Sequence, residues 1–373
     1  MEGSMKSLHL SLSVCLATFL FDSVSPASEK EVIYAFTQVG AKGLGNDRAV
    51  RALSLVDQLN PSSIVPLLKG MNDANDLGDN WIRAALAKVV EQAKPGAFPT
   101  ELVSQFIIDQ GNAGSSRRAA FELLRDEQTE KAEKMIGSFL DDPEPSLRRE
   151  AVTQLLKKAE GKKGKTATVL FRMALDKARD VDQITAAKTA LEENGMKIDV
   201  PRLMGFLTHW QTIGPFANGS REGFLHAYAP ERKVDLESSS QGKNGRVEWT
   251  EFSTSDPFGM LDINLQYGEI KEVLAYAFTT FESEASGPVQ FRLGSKNAWK
   301  LWVNDELLFA RDEYHRGKTR VDQFVIDGKL SKGSNRILVK VCQNEQTQPW
   351  TKNWEFCLRV TDPTGKALLP SNR

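Results

Sequence analysis

The chain predicts two folds in series, an N-terminal α-solenoid followed by a C-terminal antiparallel jelly-roll β-sandwich, and three observations carry that prediction. Alanine recurs at one helical position in five segments, at Ala52, Ala85, Ala120, Ala151 and Ala187, with a branched apolar residue four places on each time: Val56, Val89, Leu124, Leu155 and Leu191. After about residue 200 the apolar pattern changes from helical spacing to short alternating runs separated by Gly, Pro, Asn and Asp. The same point divides the aromatics, because six of the seven tryptophans and four of the five tyrosines follow it. The expected domains are therefore an export signal over 1–27, helical repeats over 28–200 and a sandwich over 201–373.

The first segment reads as a signal peptide. Lys6 precedes an apolar stretch from Leu8 to Phe21, and Ser25-Pro26-Ala27 places small residues where a signal peptidase reads. The stretch is too short to span a bilayer comfortably, so no membrane span is expected once it is removed. A lipid-anchored form is disfavoured, because Val14 stands where a small residue should precede Cys15. The expected location is secreted or periplasmic.

At 373 residues, with 40% hydrophobic and 26% charged side chains, each half has enough chain to bury its own core. Cleavage after Ala27 removes Lys6, Glu2 and Asp22 from 48 basic and 49 acidic residues, leaving 47 of each. Nucleic-acid binding calls for a basic excess or stripe, and a neutral chain argues against it. The lysines of the connection around 157–165 read as a solvated loop.

In the helical half the five alanines lie 31 to 36 residues apart. A small residue at a fixed helical site admits a neighbouring helix closely, and the residue four on fills the space beside it. Asp141 to Leu156 is the clearest copy, with Pro145 suited to a first turn and Leu147, Ala151 and Leu155 in one stripe. This segment and residues 117–124 resemble HEAT repeats, although the period is shorter than the usual HEAT length. The resemblance implies a curved stack whose faces contact protein partners. Trp81, the lone tryptophan of this half, is read as core packing.

The β half predicts strands at Phe206–Ile213, Arg246–Phe252, Met260–Leu265, Glu272–Phe281, Val289–Leu293, Trp299–Val303, Leu307–Ala310, Val321–Ile326, Asn335–Gln343 and Trp354–Thr361. Asn304-Asp305 is a hairpin tip, since both residues tolerate the positive φ such turns need. The segments WQTIGPF (from Trp210), LGSKNAWKLWVND (from Leu293) and KGSNRILVKVCQ (from Lys332) resemble a C-terminal sandwich that follows repeat domains in exported bacterial proteins. That sandwich is similar to the galactose-binding-like and PA14-like jelly rolls. One departure matters: PA14-like domains tend to carry two calcium-holding aspartates before the Leu-x-Val strand, and this chain has Lys296, Asn297 and Ala298 there. A lysine works against a calcium site, so no metal and no cofactor is expected.

The candidate ligand residues follow from alternation and loop chemistry. Trp302 falls on the face opposite Trp299, Leu301 and Val303, where it is either a flat platform for a sugar ring or a residue buried under a loop. Tyr314, His315 and Arg316 form an aromatic and cationic loop cluster, and Trp350 lies in the loop QTQPWTKN. Cys342 and Cys357 are in phase with charged neighbours, so a disulfide is expected if their strands are antiparallel neighbours. No catalytic signature is present: no HExxH, GxSxG, Walker loop or GxGxxG. The expected function is a non-catalytic secreted binding and scaffold protein, the repeats contacting protein and the sandwich contacting cell-envelope carbohydrate or protein. The alternatives are a purely structural interaction module without a small ligand, or a hydrolase whose two acids converge from distant positions.

Overall fold

A computed structural model describes residues 26–371, so residues 1–25 of the expected signal segment, Cys15 among them, lie outside the described residues. The chain divides into two compact units, Met1–Met135 and Ile136–Arg373. The change of pattern near residue 200 thus falls inside the second unit.

The first unit is helical: α1 (Pro26–Thr37), α2 (Asn46–Val56), α3 (Ile64–Gly70), α4 (Asp76–Glu91), α5 (Thr100–Ile108) and α6 (Gly114–Glu127), with α7 (Thr129–Ile136) reaching the boundary. Polar side chains start these helices where the sequence supplies them. The Asn75 carboxamide accepts from Leu77 and Gly78 at the head of α4. Ala52, Val56, Ala85, Val89, Ala120 and Leu124 are all buried, as are Ala151, Leu155, Ala187 and Leu191 in the second unit. The alanine pattern therefore marks core positions throughout. Trp81 stacks on Phe36 with ring centroids 5.7 Å apart, which agrees with its reading as a packing residue.

The second unit begins with helices α8 (Pro145–Ala159), α9 (Gly164–Lys177), α10 (Val181–Glu193) and the short α11 (Val200–Met204). Among the described residues twelve strands follow: β1 (His209–Ala217), β2 (Ser239–Gln241), β3 (Arg246–Glu248), β4 (Thr250–Ser253), β5 (Leu261–Asp262), β6 (Val273–Ser283), β7 (Gly287–Gly294), β8 (Ala298–Val303), β9 (Glu306–Arg311), β10 (Phe324–Leu330), β11 (Gly333–Gln343) and β12 (Glu355–Thr361). Two short helices are inserted, α12 (Ala229–Arg232) and α13 (Asn264–Tyr267).

A six-stranded sheet has the order β4-β1-β6-β11-β8-β9, a four-stranded sheet the order β10-β7-β12-β5, and β2-β3 form a separate ribbon. The pairings are antiparallel. Alternate side chains of both large sheets converge on one core, with Trp299, Leu301, Val339, Val341 and Ala275 from the first meeting Phe291, Leu293, Phe356 and Leu358 from the second. Asn304 and Asp305 turn between β8 and β9 with φ of 51° and 69°, the left-handed values expected of that tip. The expected strand at Met260–Leu265 is cut short, because after two residues of β5 the chain enters α13.

Each outer face is covered in part. The outer face of the four-stranded sheet is covered by helices: Ile184, Ala187 and Leu191 of α10, with Val152, Leu155 and Leu175, form one cluster with Phe206 and Cys357. The outer face of the six-stranded sheet is covered by residues from the 216–249 stretch. Phe224, Tyr228, Val234 and Trp249 pack on Leu274, Tyr276, Phe278, Trp302, Leu338 and Cys342 there.

Cys342 and Cys357 are free and buried, which corrects the expected disulfide. The strands β11 and β12 are not neighbours, because β11 pairs with β6 and β8 while β12 pairs with β7 and β5. Their thiols belong to clusters on the outer faces of opposite sheets. Stacked sheets lie roughly 10 Å apart, beyond the Cα reach of about 7 Å for a disulfide. Burial pushes both thiols up to about 12, so neither is a nucleophile at neutral pH.

Candidate functional site

The five candidate ligand residues separate into two places. Cross-strand register puts Ala298 opposite Cys342 and Trp302 opposite Leu338. Tyr314 packs against the same outer-face cluster and hydrogen-bonds Asn218, whose amide also donates to Gln343 O at the end of β11. Trp302 therefore lies about 13 Å along β8 from the Ala298 end, at roughly 3.3 Å per residue.

Trp302 is only 7% exposed, which settles its reading as a buried residue. The cover above it is held by ions. The Lys340 side chain is fully buried, and its ammonium donates to Phe224 O at 3.1 Å, His226 O at 2.9 Å and Glu231 Oε1 at 2.6 Å. Tyr276 donates its hydroxyl to the same Glu231 oxygen at 2.5 Å. Burial pushes the Lys340 ammonium below and the Tyr276 phenol above their ordinary ranges. Lys300 adds a second cation, 4.7 Å from the centroid of Phe224. This arrangement fixes the covering segment to the sheet.

His315 and Trp350 are tied together at the entry to β8, with Tyr314 and Arg316 flanking His315 in the chain. His315 takes a left-handed backbone (φ 53°) and donates its N–H to Lys296 O at 2.5 Å. The Lys296 ammonium in turn donates to Trp350 O at 2.7 Å and Asn353 Oδ1 at 3.3 Å. Lys296 thus joins the Tyr314–Arg316 loop to the Trp350 loop. It also carries a built-in positive charge into a cluster of oxygens. Among the described residues, no three His, Cys, Asp or Glu side chains come together as a metal site.

The Trp350 loop is held by its carbonyls. Trp350 O accepts from Lys296, Thr351 O from Lys271 at 2.8 Å and Gln343 at 3.1 Å, Lys352 O from Gln343 and Asn264 at 3.2 Å each, and Asn353 O from Asn297 at 3.2 Å. Four consecutive carbonyls are bound by side chains from five positions elsewhere in the unit. Buried amides and ammoniums placed this way are costly to leave unpaired, so they specify one loop conformation. The Trp350 ring itself is 66% exposed.

In the Tyr314 loop, the Tyr314 hydroxyl accepts from Asn218 Nδ2 at 3.1 Å, and Arg221 lies 5.2 Å over the Tyr314 ring while pairing with Glu345. His315 Nε2 and Asn344 Oδ1 are 3.0 Å apart. That oxygen also accepts from Gln346 N, so it is an acceptor and His315 Nε2 is the donor. The His315 Nδ1 atom is buried without a hydrogen bond, and burial holds the imidazole below its ordinary range. Arg316 is exposed. The residues that position this site escaped the sequence reading. Ser295, Lys296, Asn297, Gln343 and Asn344 are polar, sit at the ends of strongly apolar strands and are almost wholly buried. Polar residues clustered at strand ends were the available signal.

No known protein family matches the chain, and no curated protein matches it. Among solved structures, the chain is similar to the PA14 domain of the antifreeze protein MpAFP, at 9% identity and a TM-score of 0.21, covering 45% of this chain and 76% of that one. It is also similar to a β-glucosidase from Kluyveromyces marxianus, at 10% identity and a TM-score of 0.26, covering 79% of this chain and 37% of that one. A GH31 α-xylosidase from Xanthomonas citri matches at 11% identity and a TM-score of 0.21, covering 42% of this chain and 18% of that one. The chain thus spans well under half the length of either enzyme, and at these scores the likenesses decide neither ligand nor activity.

Proposed function

We propose that this chain is a non-catalytic binding and scaffold protein whose second unit recognises carbohydrate through the loop bearing Trp350. One observation carries the reading: an exposed tryptophan ring stands on a loop whose four consecutive carbonyls are all held by side chains. A sugar ring needs a flat apolar face beside hydrogen-bonding groups, and a rigid loop offers that face at little entropic cost. The Arg221–Glu345 pair supplies polar groups on the Tyr314 side, whose loop Lys296 ties to the Trp350 loop. The helical cover of the second unit lies on the four-stranded sheet and leaves Trp350 exposed. In this reading the protein is exported, and the HEAT-like repeats contact a protein partner.

The test is a binding screen of the full chain against oligo- and polysaccharides. A fragment starting at residue 201 is unsuitable, because it would strip α8 to α10 from the cluster that covers Phe206 and Cys357. Saturable binding that Trp350→Ala weakens at least tenfold, with an unchanged melting temperature, is the expected result. A folded chain that binds nothing in the panel, or a variant that binds as well as the parent, refutes it.

A further inference from the structure

We propose that the second unit holds a separate site for a small organic monoanion, in the pocket between α9, α10, α11 and the chain's last segment, with Arg179 as the anchor. The pocket has a volume of about 380 Å³. Leu175, Ile184, Leu203 and Met204 make its apolar wall, and Arg179, Arg202 and Lys366 bring positive charge to it.

The charges there are unevenly satisfied. Arg359 also reaches the pocket, but its guanidinium is committed to Asp322 through both Nε and Nη2. Arg179 has no such partner. Its Nη1 donates to Asp176 O at 2.8 Å and Ala178 O at 2.7 Å, and its other donors make no hydrogen bond to a described residue. Burial first, then the neighbouring Arg148 and Arg359, hold this guanidinium below its ordinary range, against the opposing pull of Asp362 and Asp141. A half-buried guanidinium with no carboxylate hydrogen-bonded to it gains most from an anion that can accept two of its N–H groups.

The rim also sets the ligand's charge and shape. Asp176 and Asp199 line the same pocket, and the Asp199 carboxylate is already accepting from Arg202 N. Two carboxylates at the rim disfavour a dianion or trianion, while the apolar wall favours a ligand with a hydrocarbon body. A monocarboxylate or monosulfate with a short aliphatic or aromatic body meets both conditions.

Titration calorimetry on the full chain tests this, with hexanoate, benzoate and phenyl sulfate each compared with hexanamide and benzamide. At least one anion is expected to bind saturably and at least tenfold more tightly than the uncharged amides. Arg179→Gln should weaken it at least tenfold, and Arg202→Glu, a change at an exposed position that need not disturb folding, at least threefold. Trp350→Ala should leave this binding intact, which separates it from carbohydrate recognition. No saturable binding by any of the anions, equal binding of anion and amide, or parental affinity in Arg202→Glu overturns the proposal.

Discussion

Trp302 and Trp350 belong to the same unit and the sequence offers both for the same role, yet the fold uses them in opposite ways. Trp302 is flattened under a segment that Lys340 and Glu231 tie to the sheet. Trp350 projects from a loop whose carbonyls are held by side chains from elsewhere in the unit. In one place buried charge holds a cover closed over an aromatic ring, and in the other it holds a platform beneath one. The difference shows that a tryptophan's role here depends on which backbone the neighbouring lysine carries, the cover's or the ring's own.

The comparison breaks most sharply on stability. Trp302→Ala should destabilise the second unit by about 3 to 5 kcal/mol, the cost of emptying a large aromatic site in a packed cluster. Trp350→Ala should cost no more than about 0.5 kcal/mol, as exposed substitutions do. Denaturant titration of the two variants measures both values, and equal losses would erase the distinction between cover and platform.

The next largest effect concerns the ion pair. Lys340→Met leaves Glu231 buried beside Tyr276 without its cation, at a cost of about 3 kcal/mol or more. Adding Glu231→Gln removes the orphaned charge and should recover part of that loss. A double variant no more stable than the single one would mean that the lysine acts through its bonds to Phe224 O and His226 O rather than through charge.

These contrasts also show what the sequence could convey. The strands β6, β7, β8, β11 and β12 lie within a few residues of their expected spans, because two-residue alternation in long apolar runs is a local signal. Alternation also assigned Cys342 and Cys357 to the faces opposite the shared core, as found. It could not say that those faces were covered. Arg359 reads as a solvent-facing residue of an alternating strand, yet it is 1% exposed and committed to Asp322. Its burial depends on residues from 204 and 322 meeting 359, a relation between distant segments that no local pattern encodes. The repeat pattern likewise says nothing of what each helix packs against. Helices α8 and α10 carry the same alanine pattern as α2, α4 and α6, and what sets them apart is the sheet they cover.

Returning to the platform, Lys296→Met should loosen the Trp350 loop without unfolding the unit. The change removes donors from Trp350 O and Asn353 Oδ1, and a buried acceptor left unpaired costs about 1 to 3 kcal/mol. The informative readout is local. Amide hydrogen exchange around residues 350–353 should accelerate well beyond the rest of the sandwich, and carbohydrate affinity should fall along with it. Exchange that stays slow would show that Lys271 and Gln343 suffice to hold the loop.

The smallest expected effect is a pH dependence of the same site. His315 is held neutral by burial, with help from the nearby Lys271 and Lys296 charges, while its hydrogen bond to Asn344 pulls the other way. Its folded pKa therefore lies below the unfolded value of about 6.5. A depressed histidine contributes stability that is fully present above the unfolded value and is lost as pH falls through the folded one. Glu345 is lowered by Arg221 and stays ionised across that window, so the imidazole is the group in this cluster that changes charge there. Between pH 8 and pH 5 the parent should lose slightly more stability than His315→Gln, with faster exchange in the loop at the acid end. Identical pH profiles for the two chains would show that His315 shapes this loop through its left-handed backbone and its N–H to Lys296 O, and that its protonation is irrelevant to the platform.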